Sequence, residues 1–184
     1  MAQSWRVQSR RPLRARPALD SAALERLALG YAGRYATSRA RLADYLRRKL
    51  AERGWAGEED PPVAPIVARF VELGYVDDRA IAEAKARTLG ARGLGERRLA
   101  AALGGLGISD RDARAARAQA AADAWTTALR FAERKRIGPF ADREPDEKAR
   151  RRAFAAMMRA GHSVDDTRRI IAAAPGDVPE PDGN

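Results

Sequence analysis

Apolar side chains recur along this chain at the 3.6-residue spacing of helices, and nowhere with the alternation of a strand. Leu24, Leu27, Ala28, Tyr31 and Tyr35 mark one helical face, and Leu42, Tyr45, Leu46 and Leu50 mark a second. Pro61, Pro62 and Pro65 break and restart the chain; a third helix then carries Ile66, Val67, Phe70 and Val71 and stops at Gly74. From Asp20 to about Pro175 the pattern is helix after helix, so the predicted fold class is all-α.

The pattern also repeats. Leu46-x-x-x-Leu50-x-x-x-Gly54-Trp55 returns as Leu99-x-x-x-Leu103-x-x-x-Gly107-Ile108, and in weaker form as Ala153-x-x-x-Met157-x-x-x-Gly161-His162, at offsets of 53 and 54 residues. A left-handed Gly ends a helix and folds the next residue back onto the one five before it, which pairs Trp55 with Leu50, Ile108 with Leu103 and His162 with Met157. Ser109-x-x-Asp112 and Ser163-x-x-Asp166 follow two of these stops as capping boxes, with Asp in place of Glu. Asp77 and Asp78 stand where another helix starts, from Arg79 to about Thr88. The expected organisation is a tandem, elongated array of three three-helix modules, 20–76, 77–124 and 125–175, which must share surfaces because one unit buries too little alone. Residues 1–19 read as a flexible basic N-terminal tail and 176–184 as a flexible acidic C-terminal tail.

Composition at first argues against any fold. Leu, Ile, Val and Phe number 32 of 184 residues, Ala alone 41, and the net charge is +10. Those values border on disorder, and thin helices packed through Ala are the way out. With no Cys and one His, disulfides, thiol nucleophiles and thiolate or His-cluster metal sites are excluded. No apolar run approaches the ~20 residues of a membrane span. The Arg-rich N-terminus has no apolar h-region, so it is not a secretory signal, and Pro12 and Pro17 break any amphipathic presequence helix. A soluble, cytoplasmic bacterial protein without cofactor or metal is expected.

Charge is uneven along the modules: +5 in the N-terminal tail, +1, +2 and +5 in the three modules, and −3 in the C-terminal tail. Arg outnumbers Lys 31 to 4, which suits phosphate and carboxylate recognition but also follows from a GC-rich genome. Arg47-Arg48-Lys49, Arg97-Arg98 and Arg150-Arg151-Arg152 fall in the second helix of each module. Two readings stand for these runs. One is a stripe that contacts phosphates or an acidic partner, recurring once per module. The other is a solvated helix face balanced by Asp44, Glu52, Glu96 and Glu147.

The remaining motifs point away from catalysis. Asp77–Asp78 and Asp165–Asp166 are paired carboxylates, but at helix starts, where capping explains them better than acid–base chemistry. The glycines of 90–95 and 104–107 match no dinucleotide or phosphate-loop fingerprint and follow no strand. His162 has no second ligand near it and reads as a semi-exposed packing residue. Trp5 reads as unstructured tail, with base stacking as its functional alternative.

Leu73-Gly74-Tyr75-Val76-Asp77-Asp78-Arg79-Ala80-Ile81-Ala82, followed by Arg97-Arg98-Leu99 and Leu103-x-x-x-Gly107-Ile108, resembles the RecX family of recombination regulators. The resemblance also takes in Ser38 to Trp55 and, more loosely, the third module. It implies tandem three-helix repeats and no catalytic, cofactor-binding or metal-binding residue. It further implies a non-enzymatic modulator of the RecA recombinase, usually an inhibitor, in homologous recombination, DNA repair and the SOS response. Such a protein binds the RecA filament and its single-stranded or double-stranded DNA and suppresses ATP hydrolysis and strand exchange. The contact residues nominated are Arg47, Arg48, Arg97, Arg98, Arg150, Arg151 and Arg152, on a monomer with no membrane partner. This chain departs from the family pattern with Ile81 and Ala84 in place of aromatic residues, with Gly104 and Gly105 in a helix, and with His162 at the third stop. The alternative is a helical DNA-binding module or transcription regulator acting without RecA.

Overall fold

The computed structural model describes residues 17–181. Nine α-helices and one 3₁₀ turn form there: α1 Ser21–Ala32, α2 Arg39–Arg53, α3 Val63–Glu72, α4 Asp78–Ala91, α5 Glu96–Gly104, α6 Asp110–Ala122, α7 Ala124–Lys135, the turn Gly138–Phe140, α8 Glu147–Ala160 and α9 Val164–Ala172. Side chains cap the helices where the sequence offers Ser or Asp. Asp20, Ser38, Asp77, Ser109, Asp146 and Ser163 each accept the N–H three residues on. In both Ser-x-x-Asp segments the Ser hydroxyl also donates back to the Asp carboxylate, Ser109 to Asp112 at 2.9 Å and Ser163 to Asp166 at 2.7 Å.

Each run of three helices closes on its own buried cluster. Leu24, Leu42, Leu46, Ile66, Phe70 and Val76 form the first, Ala82, Leu99, Leu103, Ile108, Ala113 and Ala116 the second, and Phe131, Ile137, Met157 and Ile170 anchor the third. The middle cluster is built largely from Ala. Ala82 of α4 shares that cluster with Ala113 and Ala116 of α6, and small side chains at such a contact let helix backbones approach closely. Low bulk is thus matched by close approach.

The stops differ in form. Gly107 and Gly161 are left-handed, and Ile108 and His162 donate back to the Leu103 and Met157 carbonyls at 3.1 and 3.2 Å. Gly54 instead leaves its helix extended (φ 79°, ψ 173°), so Trp55 does not fold back on Leu50 in that way. It makes a parallel bridge with Leu19, whose N–H donates to the Gly54 carbonyl at 3.0 Å. Leu19, expected in a flexible tail, is therefore fully buried in the first cluster. At the other end Gly176 donates to the Pro139 carbonyl at 2.8 Å, tying the start of the acidic tail to the 3₁₀ turn. Tyr35 is a second correction: α1 ends at Ala32 before Gly33, so Tyr35 leaves the apolar face and stands 60% exposed. Gly104 ends α5 three residues ahead of Gly107, as its cost of about 1 kcal/mol in a helix predicts.

Two junctions join the clusters, and both seat a Gly stop on the first turn of an earlier helix. At the first, Gly107 faces Ala40 of α2 so closely that an added Cβ would lie 2.4 Å from the Ala40 Cβ. The Ser38 hydroxyl donates to the Leu106 carbonyl beside it. At the second, Gly161 faces Arg98 of α5, Gly95 donates to the Ala160 carbonyl at 2.9 Å, and Arg97 N–H donates to the Gly161 carbonyl at 3.3 Å. Free N–H groups at the start of α5, which has no side-chain cap, are thus satisfied by the third cluster.

Candidate nucleic-acid and partner interface

The seven nominated arginines are all exposed and lie on α2, α5 and α8, the second helix of each cluster. Four have acidic partners. Arg47 pairs with Asp44 at 3.0 Å, Arg48 with Glu52 at 3.9 Å, Arg151 with Glu147 at 3.7 Å, and Arg150 with Glu144. Exposed pairs of this kind are worth at most about 1 kcal/mol and exchange readily for another anion. Glu96, expected to balance its own helix, turns instead to Arg117 at 2.7 Å. Arg97, Arg98 and Arg152 have no carboxylate within ion-pair range among the described residues. With Arg159, also exposed and without an ion pair among the described residues, they are the guanidinium groups left available on α5 and α8, two helices that pack on each other at the second junction.

A cleft of about 600 Å³ opens beside that junction, with Arg97, Arg114 and Arg117 on its rim and Gly95, Gly161 and His162 at its base. Glu96, Asp110 and Asp166 share the rim, so the cleft is mixed in charge. His162 is not semi-exposed: it is 3% exposed, its Nε2 donates to the Gly93 carbonyl at 3.1 Å, and its ring meets Phe131 at 5.4 Å. Burial pushes its pKa below the usual histidine range, against the opposing pull of the Gly93 carbonyl and Asp166.

The first junction is built on charge. Arg39 N–H donates to the Asp78 carboxylate at 3.0 Å, while its guanidinium meets Asp112 at 3.3 Å and Arg79 meets the same carboxylate at 3.4 Å. Asp112 is held below its usual pKa by the Ser109 hydroxyl first, then by the two arginines, against the opposing effect of burial. Asp78 is pushed up by its burial, with the Arg39 N–H and charge opposing. Of the Asp77–Asp78 pair, only Asp77 caps α4; Asp78 reaches across to cap α2. Asp112 is legible in the sequence as part of a capping box, but its pairing with Arg39 is not, because partners 73 positions apart leave no periodic trace. Asp165 and Asp166 lie in the first turn of α9, as capping predicts. Trp5 lies outside the described residues.

Among the described residues no three His, Asp or Glu side chains gather as metal ligands, and no helix is long and apolar enough to cross a membrane. Fold and site together define an all-helical protein whose chemical feature is a charged surface carried on successive second helices.

Comparison with known proteins sharpens that description. No family model matches the chain. The regulatory protein RecX of Myxococcus xanthus is 32% identical over 164 residues, covering 83% of this chain and 86% of that one. The regulatory protein RecX of a Mycobacterium species is 36% identical over 144 residues, 76% of each. Crystal structures of RecX from Lactobacillus salivarius and of a second regulatory protein RecX superpose with TM-scores of 0.60 and 0.61. Each covers 82% of this chain, and 93% and 72% of the respective structures, at 20% and 18% identity. The chain belongs to the RecX family.

Proposed function

We propose that this protein is a non-enzymatic regulator of the RecA recombinase, acting as a monomer in the cytoplasm and inhibiting the filament. It lies along RecA–DNA filaments as an array of three modules, 20–76, 77–124 and 125–175. Its second helices meet DNA phosphates and acidic patches of the recombinase through Arg47, Arg48, Arg97, Arg98, Arg150, Arg151 and Arg152. The observation that carries the reading is the recurrence of an exposed arginine run on α2, α5 and α8, each on its own cluster and joined at stops of one kind. Such a repeating contact suits a polymeric partner whose sites recur, where a compact ligand would need convergent groups in a single pocket. Guanidinium forks pair with phosphate and carboxylate alike, so one face serves both components of a nucleoprotein filament.

The test is the single-stranded-DNA-dependent ATPase of RecA with the protein titrated to equimolar amounts. The expected result is a falling rate and suppressed strand exchange. An unchanged rate sinks the proposal, and selective binding to a short duplex without any effect on RecA would favour a DNA-binding module that acts alone.

A further inference from the structure

Three tyrosines form a stack where α1 meets α2. The rings of Tyr31 and Tyr45 lie face to face, with centroids 4.2 Å apart and planes 12° from parallel. Tyr35 leans on Tyr31 at 5.5 Å and 51°. Tyr31 and Tyr45 are half-buried against the first cluster, whereas Tyr35 adds nothing to that core and is 60% exposed. None of the three hydroxyls has a hydrogen-bond partner among the described residues, so no internal polar contact accounts for Tyr35.

Cations surround the stack. Arg48 and Lys49 approach the Tyr45 ring at 5.6 and 5.9 Å from its centroid. Arg41, Tyr45 and Arg48 stand at i, i+4 and i+7 on one stripe of α2, which places the two arginines about 10 Å apart along the helix axis, one on each side of the ring. Arg34 and Arg41 are exposed with no carboxylate in ion-pair range among the described residues. The acids close by in sequence already have partners: Asp44 pairs with Arg47, Glu25 with Arg69, and Glu52 with Lys49 and, at 3.9 Å, with Arg48, an exposed pair that a phosphate can replace.

We propose that Tyr35, backed by Tyr31 and Tyr45, is a stacking platform for an unpaired base of single-stranded nucleic acid, with Arg34, Arg41 and Arg48 holding the flanking phosphates. An exposed ring supplies a flat π-face for one base, and guanidinium groups on either side track the backbone. A duplex cannot use the platform, because its bases hide their faces in the stack. The proposal rests on the DNA contact in the function proposed above and adds a site outside the second-helix runs of α5 and α8.

The test is binding of the full chain to a labelled single-stranded oligonucleotide and to an abasic oligonucleotide of the same length, without RecA. The wild type binds the base-bearing strand about 5- to 150-fold more tightly than the abasic one. Tyr35→Ala removes that preference and leaves the salt slope unchanged, whereas Tyr35→Phe keeps the preference. Because Tyr35 is exposed, an unchanged circular-dichroism melt confirms that each variant is folded. Equal wild-type affinity for the two strands, or a Tyr35→Ala variant that still prefers bases, overturns the platform. If Tyr35→Ala instead loses only its effect on the RecA ATPase, the ring docks protein and the nucleic-acid assignment is wrong. Failure of the platform leaves the ATPase test of the RecA reading untouched.

Discussion

Replacing Gly161 by Ala tests how the third cluster is attached. The backbone there is left-handed (φ 94°), and an added Cβ would sit 2.6 Å from the Arg98 nitrogen and 2.8 Å from its Cβ. The conformation alone costs an L-residue about 1–2 kcal/mol. Relieving the clash means moving backbone, because the nearest atom belongs to the main chain of α5 and cannot rotate away. That movement weakens the bonds from Arg97 N–H to the Gly161 carbonyl and from Gly95 N–H to the Ala160 carbonyl, each worth about 1 kcal/mol. The expected cost of Gly161→Ala is therefore about 3–4 kcal/mol, summing conformation and weakened bonds. Gly74→Ala is the control: its φ is +75°, yet nothing lies within 4 Å of the added Cβ, so only the conformational cost of about 1–2 kcal/mol remains. Urea unfolding followed by far-UV circular dichroism compares the two. If Gly161→Ala is no less stable than Gly74→Ala, the junction is loose and the seating inferred from the geometry is wrong.

Other outcomes follow from the same contacts. His162 is the only histidine in the chain, and its folded pKa is depressed, so its contribution to stability is complete above pH 6.5 and is lost as pH falls through the folded value. The melting temperature should drop between pH 7.5 and 5.5, and His162→Ile, which copies the Ile108 of the second stop, should flatten that drop; equal slopes would place the sensitivity elsewhere. Asp112→Asn should cost about 2 kcal/mol at low ionic strength and less in 1 M NaCl, since it strips two guanidinium groups of their carboxylate. A penalty insensitive to salt in urea melts would contradict the ionic account. Arg150→Glu, Arg151→Glu and Arg152→Glu combined should weaken single-stranded DNA binding and lower the salt slope by about 2, at ~0.7 for each phosphate no longer neutralised. An unchanged slope would move the DNA-binding face off α8.

The helices and their ends were legible in the sequence because they depend on neighbours three to five positions apart. Ser109, Ser163 and Asp77 cap as their spacing indicates, and Gly107 and Gly161 stop helices in the left-handed conformation. What escaped depends on residues far apart in the chain. Leu19 looked like tail because its partner, Trp55, comes 36 residues later and bonds through backbone, which no side-chain pattern records. His162 looked semi-exposed because the segment that buries it, around Gly93, lies 69 residues earlier in the chain. The arginine runs were visible as charge. Which of them pair, Arg47 and Arg151, and which stand free, Arg97 and Arg152, was decided by the rotamers and neighbours of the folded helices.

The two junctions share a shape but not a chemistry, and this gives the molecule joints of unequal stiffness. Carboxylates and half-exposed guanidinium groups reinforce the first, beside the Ser38 hydroxyl and the seat of Gly107 on Ala40, so dissolved ions compete for part of its hold. Backbone amides and a buried imidazole hold the second, and salt has little purchase there. Raising ionic strength should therefore let the first cluster swing while the other two move as one piece. A polyanion laid across Arg39 and Arg79 would act in the same way as added salt, softening the arm at the place where it is gripped.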